Sequence, residues 1–258
     1  MNFFKHRLDK KIQRHTGLLP IDRTDPQDVF IVGYPKSGNT WMQSLIAGVV
    51  YGLDPACLSY ALVDDLVPDV HARSYYRRYR TPMHFKSHSL PEPKYRRVIY
   101  LLRDGRDVMV SYYHHLNALH GETDINFAEI VRTGRHLYPG KWHEHVKAWQ
   151  ANPYNAQIVT LKYEELSEDP VGQLSRICEF LSIERPVALL ESVSKGSSFG
   201  MMREREEKFG LQDRAWPSDK FFIRRGVVGS HRDEMPGNVL DLFLSDAADT
   251  LRACAYLQ

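Results

Sequence analysis

The stretch "GYPKSGNTW", residues 33–41, constrains the fold of this chain more than any other. It follows the apolar, β-branched run "DVFIV" and leads into "TWMQSLIAGVVYGL", where apolar residues recur at helical spacing. A strand, a glycine turn and a helix in this order bring several backbone N–H groups to a helix N-terminus, which binds anions. The sequence therefore predicts a phosphate-binding loop here.

The position of the lysine distinguishes this loop from that of NTP-hydrolysing enzymes. In those enzymes the lysine follows the second glycine, and a Ser or Thr next to it contacts Mg²⁺. Here Asn39 and Thr40 follow Gly38, and Lys36 lies inside the turn. In that position it could neutralise charge on a leaving or bridging oxygen of the bound anion. A Mg²⁺-dependent nucleoside or nucleotide kinase with an atypical loop is one alternative, and a glycine turn with an incidental lysine is another.

Strand patterns alternate with helical patterns along the rest of the chain. Residues 83–88, 97–103 and 157–163 read as strands, with helices between and after them. This order predicts an α/β fold, a single domain whose central parallel β-sheet is flanked by helices. The expected parts of the domain 1–258 are an N-terminal extension over 1–25, a motif-bearing core over 26–229, and a C-terminal loop and helix over 230–258.

Four chemically active side chains fall where predicted strands end. Ligands of parallel sheets bind at the carboxyl ends of the strands, and Lys36, His88, Arg103 and Tyr163 all lie there. We expect the functional site at this edge of the sheet.

Composition excludes several other kinds of protein. A net charge of +2 gives no support for a nucleic-acid partner, and the three cysteines are isolated, which favours free thiols and a cytoplasmic location and gives no zinc site. No apolar run is long enough for a transmembrane segment.

The basic N-terminus places Phe4, Leu8 and Ile12 on one face of a predicted helix. This face could either dock on the domain or lie on a membrane surface.

Four motifs over residues 29–229 resemble, in order, those of the cytosolic-type sulfotransferases, which use 3′-phosphoadenosine 5′-phosphosulfate (PAPS). They are "YPKSGNTW", "KSHSLP" from Lys86, "RDGRDVMVSYYHH" from Arg103, and "FIRRGVVG" from Phe222. The resemblance implies a P-loop-like fold and a metal-free transfer of sulfonate from PAPS to a hydroxyl acceptor, an alcohol, phenol or glycolipid, releasing 3′,5′-bisphosphoadenosine (PAP).

The resemblance also implies a role for each motif residue. His88 would be the general base, Lys36 would stabilise the bridging oxygen, Lys86 the sulfonate, and Ser111 would complete the catalytic centre. The residues expected to bind the donor are Lys36, Ser37, Gly38, Asn39 and Thr40 at the 5′-phosphosulfate, Arg103, Ser111, Arg224, Arg225 and Gly226 at the 3′-phosphate, and Trp41, Tyr163, Ser197, Phe199 and Met202 at the adenine.

Some assignments keep an alternative. His84 shares a strand face with His88 by period two and is the rival base, and Trp41 could be a core aromatic at a helix start. A nucleotide-binding module without catalysis would keep the same phosphate motifs.

The chain departs from the family pattern near its end. Ser230 and His231 stand where Asp or Ser followed by Trp is usual, which affects the adenine-side packing of the loop. The dimerisation motif K-x-x-x-T-V-x-x-x-E is absent, so that dimer is not supported. The acceptor pocket is expected to come from residues 51–80, 122–138 and 200–222.

Overall fold

The computed structural model describes residues 2–120, 125–211 and 216–258, with side chains from residue 7 onward. The strands are β1 Leu19–Pro20, β2 Val29–Gly33, β3 Tyr75–Tyr76, β4 His84–Ser87, β5 Arg97–Leu102 and β6 Gln157–Lys162. The central sheet has the order β4-β2-β5-β6, and all its neighbours are parallel. Strands β1 and β3 form a separate antiparallel pair. The predicted α/β fold with a parallel sheet is confirmed.

Helices cover both faces of this sheet. They are α1 Asn2–Thr16, α2 Asn39–Tyr51, α3 Tyr60–Leu66, α4 Gly105–His120, α5 Phe127–Thr133, α6 Trp142–Ala151, α7 Tyr163–Glu168, α8 Pro170–Leu181, α9 Val187–Gly196, α10 Phe199–Phe209, α11 His231–Glu234 and α12 Gly237–Ala253. Helix α10 has no clear apolar stripe in sequence, because it buries Arg205 and Glu206 beside Met202.

The two faces of β2 belong to two cores. Phe30 and Val32 pack with residues of α4, α5, α6 and α12, whereas Val29 and Ile31 pack with residues of α2, α8 and α9. Every residue of β2 is buried, as expected of a central parallel strand. Each such side chain contributes about 1.5–3 kcal/mol on burial, so both faces hold the strand that carries the phosphate loop.

The strand order creates a crevice at the carboxyl end of the sheet. From β2 the chain crosses to β4 on one side, and the later crossover from β5 to β6 lies on the other. In open parallel sheets, ligands bind where the connections diverge in this way. The loop with Lys36 and the residue Arg103 follow β2 and β5 directly, so they lie on either side of this crevice.

The N-terminal helix contacts its own chain. Asp9 accepts a hydrogen bond from the Tyr75 hydroxyl at 2.8 Å, and Gln13 accepts one from Arg23 at 2.7 Å. These contacts fit the docked alternative, while the side chain of Phe4 lies outside the described residues. Within the described ranges, no helix combines the length and hydropathy needed to cross a membrane. The single-domain division and the cytoplasmic location stay predictions.

Candidate functional site

A cavity of about 620 Å³ lies at the carboxyl end of the sheet. Its wall includes every predicted site residue except Ser37: Lys36, Gly38, Asn39, Thr40, Trp41, Lys86, His88, Arg103, Ser111, Tyr163, Ser197, Phe199, Met202, Arg224, Arg225 and Gly226. Ser37 is buried, and its N–H donates to the Tyr34 carbonyl at 3.1 Å. The fold therefore brings the four motifs into one space.

The phosphate loop has a strained and closely packed backbone. Lys36 and Gly38 both have positive φ, 70° and 97°. The Asn39 side-chain amide donates to the Tyr34 carbonyl at 2.9 Å and so ties the loop to the first turn of α2. A Cβ at Gly38 would lie 2.7 Å from the Tyr163 ring, and one at Gly33 would lie 2.4 Å from the Asn39 side-chain oxygen. Only glycine fits these two positions.

Replacing Gly38 by alanine should therefore lower the free energy of unfolding by more than backbone strain alone would. The matched control is Gly52→Ala, because Gly52 also has positive φ, 68°, but a Cβ there meets nothing within 4 Å. We expect the free energy of unfolding to fall by about 1–2 kcal/mol in Gly52→Ala, from the left-handed backbone alone, and by about 2–5 kcal/mol in Gly38→Ala. Urea denaturation measures both values, and equal losses would contradict the close packing of Tyr163.

Lys36 lies over an aromatic ring and among other cations. Its ammonium nitrogen is 4.0 Å from the centroid of the Phe222 ring. Burial, followed by the positive charges of Lys86, Arg103 and Arg224, lowers the pKa of Lys36 to about 7. A group of cations that destabilise one another is stabilised by an anionic ligand, so the electrostatics of the cavity favour such a ligand.

The ring of His88 is oriented by the strand next to it. Its Nδ1 lies 2.8 Å from the Gly33 carbonyl oxygen. A carbonyl only accepts, so Nδ1 carries the proton and Nε2 keeps a free lone pair. Burial, and then the charge of Lys86, lowers the pKa of His88 to about 3. The imidazole is therefore neutral and can accept a proton at Nε2.

His84, the rival base, lies elsewhere. It begins β4, whereas His88 follows the end of that strand, and four residues of strand span about 13 Å. His84 is buried and is not part of the cavity wall, and among the residues that the structure describes neither of its ring nitrogens has a hydrogen-bond partner. Sharing a strand face with His88 does not bring it to the site.

Arg103 reaches across the cavity floor. Its guanidinium donates to the carbonyls of Lys36 at 3.2 Å and Val227 at 3.1 Å, and it lies 4.2 Å from the centroid of the Tyr163 ring. Its Nε is buried and finds no hydrogen-bond partner in the ranges that the structure describes. Ser111 lies two turns into α4 on the cavity wall. Arg103 thus links the phosphate loop to the late loop.

The late loop, residues 222–230, is fastened at both ends by buried carboxylates. Glu206 on α10 accepts the N–H groups of Phe222 at 2.5 Å and Ile223 at 2.9 Å. Asp107 on α4 accepts the N–H of Gly229 at 2.7 Å and both the N–H and Nδ1 of His231, at 2.9 and 2.7 Å. His231, the residue at which this chain departs from the family pattern, therefore helps to anchor the C-terminal end of the loop.

The two arginines of this loop share one carboxylate. Glu234 accepts hydrogen bonds from Arg224 at 2.6 Å and from Arg225 at 2.5 Å, and its Oε2 lies 2.8 Å from His114 Nε2. Burial acts to raise the pKa of Glu234, but the bonds from the two arginines outweigh it and lower the pKa to about 2. The arginines are held at the cavity edge by this ionised group.

The far end of the cavity is aromatic. Trp41 meets the Tyr163 ring edge-on, with centroids 5.4 Å apart at 72°. Gly226 has positive φ, and a Cβ there would lie 2.5 Å from the Phe199 ring, so glycine lets that ring pack on the loop. Both Trp41 and Met202 line the cavity, and Trp41 also packs against the core beside α2, so both alternatives for Trp41 stay open.

Several buried polar atoms in this wall have no hydrogen-bond partner within the described part of the chain. They are Asn39 Oδ1, Trp41 Nε1, Arg103 Nε, His115 Nδ1 and Ser197 Oγ. A buried polar atom without a hydrogen bond costs about 1–3 kcal/mol, which a ligand with donors and acceptors can offset. A large polar, anionic ligand such as PAPS fits this distribution.

Sequence reasoning missed some wall residues. His115 lies four positions after Ser111 on α4, so helical spacing alone could have placed it on the same face. Tyr112 also lines the cavity, and so does Tyr138, which lies between α5 and α6 at the end of the segment 122–138 that was expected to form the acceptor pocket. Among the described residues, no cluster of three or more His, Cys, Asp or Glu could hold a metal ion. A metal-free reaction stays a prediction.

Comparisons with known proteins match this chain to one family. A family model described as "Sulfotransferase domain" matches residues 26–250. Sulfotransferase 2A1 from Rattus norvegicus is 30% identical over 84% of this chain and 82% of its own length. Sulfotransferase 1E1 from Mus musculus is 23% identical over 96% of this chain and 91% of its own.

A solved structure shows the same fold. Retinol dehydratase, crystallised with androsterone and the inactive cofactor PAP, matches with a TM-score of 0.69 and 22% identity, covering 89% of this chain and 82% of that one. The fold, the loop that follows β2 and the family match over most of the chain all indicate the same family. The chain belongs to the family of PAPS-dependent sulfotransferases.

Proposed function

We propose that this sulfotransferase transfers sulfonate from PAPS to the hydroxyl group of a small, largely apolar acceptor, with His88 Nε2 as the general base. The observation that carries the proposal is the 2.8 Å bond between His88 Nδ1 and the Gly33 carbonyl, in the same cavity wall as Lys36. That bond leaves an unprotonated nitrogen beside the loop where a phosphosulfate would bind.

The cavity offers a separate set of groups to each part of the donor. The turn with Gly38 and Thr40 would hold the 5′-phosphate through N–H and hydroxyl donors at the start of α2. Arg103 and Ser111 would bind the 3′-phosphate, helped by Arg224, Arg225 and Gly226 of the late loop. The adenine would lie among Trp41, Tyr163, Ser197, Phe199 and Met202.

Three side chains would carry the chemistry. PAPS supplies an activated sulfonate, whose transfer is an in-line displacement. His88 Nε2 would take the proton of the acceptor hydroxyl as the new S–O bond forms. Lys36 would stabilise the negative charge that develops on the departing phosphate oxygen, and Lys86 the charge on the sulfonate. An anion bound beside His88 would also raise the pKa of that ring and so strengthen the base.

The acceptor side of the cavity is aromatic. Tyr112, Tyr138 and Phe222 line the same cavity as His88, which suits an apolar alcohol, phenol or glycolipid. The structure of retinol dehydratase contains androsterone, a hydroxylated apolar compound, which supports this class. Residues 122–124 and 212–215, part of the segments expected to form the pocket, lie outside the described residues.

The direct test is transfer of ³⁵S from PAPS to a panel of hydroxylated acceptors in the presence of EDTA. We expect transfer to at least one apolar alcohol or phenol, with no loss on chelation. Phosphate transfer from ATP that needs Mg²⁺ would favour the kinase alternative instead. PAP binding without transfer to any acceptor would favour a module that only binds nucleotides.

Arg103→Ala should weaken PAP binding. A hydrogen bond to a charged group is worth about 2–3 kcal/mol, which corresponds to a rise in Kd of about 30–150-fold. Arg103→Lys keeps the charge but loses the planar fork, so its Kd should lie between those of the wild type and of Arg103→Ala. Isothermal titration with PAP gives all three values. An unchanged Kd in Arg103→Ala would show that the 3′-phosphate binds elsewhere.

A further inference from the structure

Residues 68–71, which precede β4 in the chain, run alongside that strand. The N–H of Lys86 donates to the Pro68 carbonyl at 2.9 Å, and the N–H of Val70 donates to the Lys86 carbonyl at 3.0 Å. Asp69 and Lys86 form a parallel bridge there, and their side chains form an ion pair at 2.9 Å. This segment therefore lies against the free edge of β4, the outer strand of the sheet.

One residue of this segment, His71, contacts the proposed base directly. The main-chain N–H of His88 donates to His71 Nε2 at 2.9 Å. The two rings are stacked, with centroids 5.6 Å apart and an angle of 15°. An accepting Nε2 means that the neutral ring of His71 carries its proton on Nδ1, which lies 3.5 Å from the hydroxyl of Tyr138. The N–H of His71 in turn donates to Asp69 at 2.8 Å.

These contacts matter because the main chain of His88 lies beyond the last paired residue of β4. Strand β4 ends at Ser87, one residue before the base. The orientation of His88 therefore depends on the bond from its ring to Gly33 and on the bond and ring contact from His71. Tyr138 also meets the His71 ring, edge-on at 5.3 Å and 73°, so that ring has two aromatic neighbours.

We propose that His71 is a positioning residue for the reaction: its Nε2 and its ring face hold the main chain and the imidazole of His88 so that His88 Nε2 faces the acceptor. The inference rests on the proposed role of His88 as the base. Misplacing a reacting group by about 1 Å can lower the rate about 10²-fold, so a His88 ring in the wrong orientation would slow the chemical step. Donor binding would not change, because His71 is not part of the cavity wall.

The test compares His71→Ala with His71→Gln. Glutamine places an amide oxygen at a reach similar to that of Nε2 and can accept the same N–H. We expect His71→Ala to lower kcat about 10–100-fold, with the Kd for PAP within two-fold of the wild type, and His71→Gln to recover kcat to within about three-fold. His143→Ala, on α6 and outside the cavity wall, is the matched control and should keep wild-type kcat.

Each outcome is informative when His88→Ala is measured in parallel. If His88→Ala loses turnover but His71→Ala keeps it, the inference is wrong and the proposed base stands. Turnover retained in His88→Ala would overturn both. A folded His71→Gln, with a wild-type Tm, whose kcat is lowered by about 10-fold or more would overturn the inference, whether or not the alanine variant folds.

Discussion

Replacing His88 by alanine is expected to lower kcat by about 10²–10⁴-fold, the usual contribution of a general base. The variant removes Nε2, the nitrogen left unprotonated by the bond to Gly33, while the phosphate loop and Arg103 remain. PAP affinity should therefore stay within a few-fold. Single-turnover transfer of ³⁵S measures the chemical step, and titration with PAP measures binding.

The rival base provides the control. His84→Leu removes the other histidine of the strand, whose ring nitrogens are buried without partners, so an apolar side chain can replace it without breaking a bond. We expect this variant to keep kcat within a few-fold. Near-normal turnover in His88→Ala, or a large loss only in His84→Leu, would show that His88 is not the base.

Replacing Lys36 by methionine is expected to lower kcat by about 10²–10³-fold, because loss of one group that stabilises developing charge has an effect of this size. Methionine keeps much of the apolar length that packs on Phe222 but removes the cation. PAP binding should weaken less than turnover falls, since Arg103 and the N–H groups of the loop remain. A kcat close to that of the wild type would contradict a role for Lys36 at the leaving oxygen.

The same residue predicts a pH dependence. Since burial and neighbouring cations lower the pKa of Lys36 to about 7, the free enzyme carries this cation below that pH and loses it above. The kcat/KM for PAPS, which reports the free enzyme, should therefore fall as pH rises through about 7. His88, with a pKa of about 3, stays neutral over this range and does not cause the fall. In Lys36→Arg, which cannot deprotonate, the fall should disappear.

Local patterns predicted most of the fold. Strands β2, β4, β5 and β6 each differ from their predicted bounds by no more than one or two residues. For β2 and β5 the reason is that a buried strand is a continuous apolar run. Helix α10 was not predicted, because it buries Arg205, which donates to Pro55 and Ser44. Contacts with residues so distant in the sequence leave no periodic signal.

The motifs predicted the residues of the candidate site, but they did not predict the residues that hold its late loop in place. The motif residues are short runs at strand ends, and parallel strands bring such ends together whatever the rest of the chain does. Asp107, Glu206 and Glu234, which hold the late loop, are ordinary charged residues in helices, and their role depends on which helix faces that loop. A single sequence does not mark them.

The sequence by itself determined the order strand, loop and helix, the lysine within the loop and the set of groups available to a phosphosulfate, because these depend on neighbouring residues. The tertiary structure alone decided which histidine faces the cavity and which nitrogen is free. The contacts that settle this join His88 to Gly33 and to His71, 55 and 17 residues away, and others join Asp107 to His231 across 124 residues. Such contacts exist only once the sheet and its helices have packed, because packing brings distant side chains within hydrogen-bonding distance.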